Sequence, residues 1–214
     1  MVDSMEKYTH QEIKLFKRLN SPKKIQDYLD ALKINFEQKG DTCYSPRVVI
    51  KKRTAHCMEG AMLSAAVLEF HGAEPLVMDL RSEDHDFDHV VAVFKQFGCF
   101  GAISKTNHAV LRYREPVYKS VRELAMSYFH EYFDDKGRKT LREYSRAFNL
   151  KHFNSLNWRT SEKNLFKIPD YLDEIKHYKI LTSRQVRNLR KADAIEIKAG
   201  ELMEYNRSGK EKAK

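Results

Sequence analysis

The sequence has no apolar run approaching the roughly 20 residues that a membrane-spanning helix needs, so no span is expected. Cysteine is scarce as well. Cys43, Cys57 and Cys99 are too few and too oddly numbered for a disulfide framework, which points to a reducing compartment. The opening stretch, "MVDSMEKYTHQEIKLFKRLN", is charged throughout and lacks the apolar region of a secretory signal. A cytoplasmic protein with no membrane contact is the expectation. No internal repeat and no low-complexity linker interrupts the chain.

What is present is the composition of a globular protein. Apolar residues make up 42% of the 214 positions and aromatics 11%, enough for a substantial core. The net charge of +9 is uneven: residues 1–117 carry 17 Lys and Arg against 16 Asp and Glu, and residues 118–214 carry 22 against 14. The basic excess reads as a solvated helical surface plus the tail "RSGKEKAK". A nucleic-acid-associated protein is the rival reading, but no RNA- or DNA-binding signature accompanies the charge, so nucleic acid is not the expected partner.

Residues 9–38 read as helices, with Asn20 or Ser21 as a cap, Pro22 in a first turn, and Ile25, Tyr28, Leu29, Leu32 and Phe36 at helical spacing. Gly40 and Pro46 break the pattern. A second helix follows, with Thr54 able to cap it; Met58, Ala61, Met62, Ala65, Ala66 and Leu68 make it apolar nearly all round, and Gly72 is its stop. "EPLVMDLR", "DHVVAVF", "CFGAIS" and "HAVLRYR" then read as strands, and from Tyr118 onward the pattern is helical again. The expected architecture is α+β, a buried helix packed on an antiparallel sheet. Its expected division is 1–117, N-terminal helices and core; 118–206, a helical part packed on the core; and 207–214, a disordered basic tail.

Cys57 stands at the head of the buried helix, in "KKRTAHCMEGAMLSAAVLEFHG". A thiol in a first helical turn feels unpaired backbone N–H groups and the positive end of the dipole, which favours thiolate, and Lys51, Lys52 and Arg53 add positive charge upstream. As a small core residue the same cysteine would need no chemistry at all, and Cys43 and Cys99 are read that way. A nucleophile needs a base, and His89, first residue of the strand expected to pack on this helix, is the candidate. His56 is adjacent in sequence, but consecutive helical residues point about 100° apart. His85, Asp86, Asp88 and His89 form a local acidic cluster that could hold a metal, yet four ligands within five residues seldom wrap one ion. Folding "HVVAVF" and "CFGAIS" about a four-residue turn "KQFG" sets His89 opposite Ser104, with Asn107 three residues on as a substitute orienting group.

A cysteine opening a buried small-residue helix, then a strand, then "DHVVAVF" and "GCFGAIS", resembles the transglutaminase-like domain of the papain-like cysteine enzyme superfamily, over roughly residues 44–115. The resemblance implies Cys57 as nucleophile, His89 as its partner and Ser104 where the family carries an acid. It implies attack on an amide or other acyl carbonyl, a thioester, then release to water or an amine. The substrate would be a peptide, a protein or a small amide, and neither cofactor nor metal is called for. A binding module that keeps the fold without efficient chemistry is the alternative, and Ser104 favours it. The oxyanion would be held by the Cys57 N–H with Tyr44 or Gln38 as second donor. Asn107, His108, Arg112, Tyr113, Arg114 and Tyr118 could line a cleft, or equally form a salt-bridged seam to the C-terminal helices.

Overall fold

The computed structural model describes residues 8–204, so the tail 207–214 lies outside the described residues. The N-terminal helices start where side chains satisfy their unpaired N–H groups. Thr9 and Glu12 hydrogen-bond reciprocally at the start of α1 (His10–Arg18), and Ser21 precedes Pro22 at the start of α2 (Pro22–Asp30). Ser45 caps α3 (Pro46–Lys52) in the same way. Two short parallel strands, β1 (Lys33–Ile34) and β2 (Thr54–Ala55), pair across this region. Thr54 therefore belongs to a strand, and the residue that precedes helix α4 (Cys57–Phe70) is His56, in extended conformation. Every residue of α4 from Met58 to Leu68 is buried, and Gly72 closes the helix at φ +89°.

The sheet that α4 packs on begins with β3 (Leu76–Arg81), β4 (His89–Gln96), β5 (Cys99–Ile103) and β6 (Arg114–Tyr118), all antiparallel. Strand alternation gives it two covered faces. Val77, Val90, Ala92, Phe94 and Ile103 join the core formed with α4, α1 and α2. Met78, Leu80, Val91, Val93 and Ala102 join a second core on the other side, with Leu124, Tyr128, Tyr132 and Leu141. The fold is α+β. Among the described residues no helix is long and apolar enough to cross a membrane.

The β4–β5 hairpin turns on two residues, not four. Phe97 and Gly98 both take positive φ, +54° and +77°, as a type I′ turn requires. Gln96 then faces Cys99, and Val93 faces Ala102, a register two residues from the expected one. A slip of two keeps every side chain on its own face. His89 and Ser104 thus still share a side of the sheet, as diagonal rather than opposed neighbours.

The C-terminal part departs further from its sequence pattern. "SVRELAMSYFHEYF" forms α5 (Val121–Met126) and a short 3₁₀ turn over Phe129–Glu131. "TLREYSRAFNL", helical by periodicity, instead supplies β7 (Glu143–Ser145) and β8 (Phe148–Asn149), both paired to β3. The edge of β3 away from β4 carries a row of unpaired backbone groups, and satisfying them outweighs local propensity. "YLDEIKHYKIL" likewise splits into α6 (Lys167–Glu174) and β9 (His177–Lys179), which pairs with β7. Two short helices, α7 (Ser183–Arg187) and α8 (Ala194–Gly200), follow. "HAVLRYR" is loop up to Tyr113, with Leu111 at φ +59°.

Candidate active site

The site is built where α4 begins. Cys57 is the first helical residue, so its own N–H has no intrahelical acceptor. Its thiol is pulled down to about 5. Burial alone would push it up, but hydrogen bonding with the His56 and then the His89 imidazole, and the electrostatic pull of the two rings, reverse that. The upstream lysines turn elsewhere: Lys52 donates to the Tyr44 hydroxyl (2.9 Å) and Lys51 lies 3.9 Å from Glu162.

His56 meets the sulfur because the 100° rule holds only inside a helix. At φ −95° and ψ −174° this residue is still extended, and its ring folds alongside its neighbour's side chain. Nε2 of His56 lies 3.0 Å from the Thr42 carbonyl and 3.4 Å from Glu59 Oε1. Glu59, in the first turn of α4 and wholly buried, is surrounded by donors: the backbone N–H groups of His56 (3.0 Å) and Tyr44 (2.9 Å), the Thr42 hydroxyl (2.9 Å) and the Asn35 amide (3.0 Å). His56 is pushed up to about 9: burial works against its charge, and the thiolate beside it, Glu59 and the Thr42 carbonyl overcome that. The one sequence signal for Glu59 is its place three residues after the residue preceding the helix, the spacing of a capping box.

His89 opens β4, and its Nε2 lies 2.8 Å from Ser104 Oγ. The Ser104 hydroxyl has a single proton and donates it to the Leu111 carbonyl (2.6 Å), so it accepts from His89 Nε2–H. That commits Nε2 and leaves Nδ1 for the sulfur. Leu111 presents its carbonyl from a left-handed conformation, held by a hydrogen bond from its N–H to Glu131 (3.0 Å), which Arg114 also grips (2.5 Å).

The remaining expected residues scatter. The Asn107 backbone carbonyl accepts from the Glu204 N–H (2.8 Å), and the hydroxyl that meets His89 is that of Ser104. The Tyr44 N–H is occupied by Glu59 and is no oxyanion donor; Gln38 sits in an isolated bridge with Gly40. Burial first, and the neighbouring His89 imidazole next, push His108 down. Of the proposed metal cluster, His85 faces Asp134 (3.3 Å), Asp86 holds Thr140, Asp88 holds the Ser82 N–H (2.7 Å) and His89 holds Ser104, so the four side chains serve four different partners. Several of the C-terminal basic residues are ion-paired, among them Arg142 with Glu83 and Arg159 with Glu69, both at 2.5 Å. No family model matches the chain, and no curated protein matches its sequence.

Proposed function

We propose that this chain is a cysteine-dependent acyl-transfer enzyme that hydrolyses an amide or peptide bond through a thioester, in the manner of the transglutaminase-like proteins its sequence resembles. The observation that carries the reading is a thiol at a helix N-terminus, drawn down to about 5 between two imidazoles. The sulfur attacks the acyl carbon, and the C–S bond forms as the carbonyl π pair moves to oxygen beside the Cys57 N–H. Collapse breaks the C–N bond, and the departing amine takes a proton from an imidazolium at the sulfur. Water then loses a proton to His89 as its oxygen adds to the thioester carbon. Collapse breaks the C–S bond, releases the acid and restores the thiolate, and the proton on His89 passes through solvent to the imidazole that served the amine.

An activated ester such as p-nitrophenyl acetate tests this without knowledge of the substrate. An acetyl group should appear on Cys57 by mass spectrometry and then decay, and His89→Ala should slow the decay. An adduct that persists in the wild-type protein favours the binding-module alternative. Acetylation spread evenly over Cys57 and Cys99 would overturn the nucleophile assignment.

A further inference from the structure

We infer that His56, backed by the buried carboxylate of Glu59, is the imidazole that receives the thiol proton and holds Cys57 as a thiolate, leaving His89 and Ser104 to handle the proton of the attacking water. This rests on Cys57 being the nucleophile and divides two roles that the sequence resemblance would give to His89 alone. The Thr42 carbonyl at 3.0 Å can only accept, so His56 Nε2 carries a hydrogen in every protonation state. In the neutral ring the free lone pair is therefore on Nδ1, and Nδ1 is the nitrogen left to the sulfur. The S–H bond breaks, its electron pair stays on sulfur, and the proton passes to Nδ1; nothing else is consumed.

What distinguishes the two rings is the group behind each. Behind His89 is a hydroxyl, which fixes the tautomer but supplies no charge. Behind His56 are two carboxylates, Glu59 at 3.4 Å and Glu37 at 3.8 Å from Nε2. The acid missing from the position of Ser104 thus stands behind the other histidine, on the same helix as the nucleophile, three residues from the imidazole it steadies. The titratable groups acting on the sulfur–imidazole pair are Glu59, Glu37 and His89, with the buried Cys43 and Tyr132 as more distant neighbours. The raised affinity of His56 for its proton agrees with this assignment.

The test is the thiolate midpoint of Cys57, read by ultraviolet thiolate absorbance and by the pH dependence of iodoacetamide labelling. His56→Asn keeps a side chain favoured before a helix start, and far-UV circular dichroism checks that it folds. Its midpoint should rise from about 5 to above about 7, toward the ordinary thiol value, with a fall of at least about tenfold in labelling near pH 6. His89→Asn should leave the midpoint lower than His56→Asn does while slowing thioester decay. Glu59→Gln, if it folds, should lower the His56 titration seen by NMR; if it does not, the two histidine variants carry the test. A midpoint that responds to His89→Asn and not to His56→Asn overturns the assignment while leaving the acyl-transfer reading intact. The converse failure, a low His56-dependent midpoint with no acetyl adduct, overturns the acyl-transfer reading alone.

Discussion

A thiolate beside an imidazolium exists only between two titrations, so activity that depends on the pair must be bounded on both sides. Below about 5 the sulfur of Cys57 takes up a proton, and above about 9 His56 loses one. The pH profile of acylation by p-nitrophenyl acetate should therefore be bell-shaped with limbs near those values, which belong to the coupled pair rather than to either group. A single limb near 8.5, the ordinary thiol value, would show that no imidazole holds the sulfur. The surroundings of Ser104 leave no room for an acid. The residue is 1% exposed and its hydroxyl is directed at the Leu111 carbonyl, so an aspartate there would press a carboxylate against a carbonyl oxygen. Ser104→Ala is the cleaner probe. It leaves His89 Nε2–H and the Leu111 carbonyl unpaired and should cost about 1–3 kcal/mol in urea unfolding. Nitrogen-15 shifts of the His89 ring should show the Nε2–H tautomer losing its dominance.

At the level of the element, α4 can lie close to the chain after β5 because position 60 has no side chain. A Cβ on Gly60 would stand 2.5 Å from the Cβ of Lys105, which is not the movable end of a side chain. Lys105 cannot withdraw, since its buried ammonium donates to the carbonyls of Leu29 (2.9 Å), in the last turn of α2, and Leu32 (2.7 Å), just beyond it. In an open helix Gly→Ala stabilises by up to about 1 kcal/mol; here overpacking of about 1–3 kcal/mol opposes it. Gly60→Ala should lower the urea midpoint and, because the residue is one turn from Cys57, also slow acylation. An unchanged midpoint would show that α4 does not press on this segment.

For the whole molecule, the sheet joins what the sequence divides. β7 and β8 come from beyond residue 118 yet pair with β3, and β9 extends the same sheet. His177 on β9 and Asp79 on β3 meet at 2.8 Å with each side chain 2% exposed, a buried pair spanning β7 between them. His177→Ala leaves Asp79 without that partner and should cost about 3–5 kcal/mol. Trp158, the single tryptophan and fully buried, reports on the C-terminal part. Its fluorescence and far-UV circular dichroism should follow one urea transition, and His177→Ala should move both together. Two separated transitions would show that the parts on either side of residue 118 unfold independently.

The sequence by itself determined what depends on near neighbours. Serine before proline started α2, the apolar run from Met58 buried α4, and short apolar runs bounded by turn residues made β3, β4 and β5. Cys57 at a helix head and His89 at a strand head were legible for the same reason, because each is a position within one element. The tertiary structure decided what depends on partners distant in the chain. The edge of β3 drew residues 143–145 and 148–149 into strands against their helical periodicity. Two positive-φ residues, of which only one is glycine, closed the hairpin sooner than its composition suggested. Glu59 gained its place behind His56 from Asn35, Thr42 and Tyr44, which a loop folds onto the start of α4. Periodicity records which face of an element is buried; it does not record which backbone groups and charges another segment will bring to meet it, and at this site those are what decide where the proton rests.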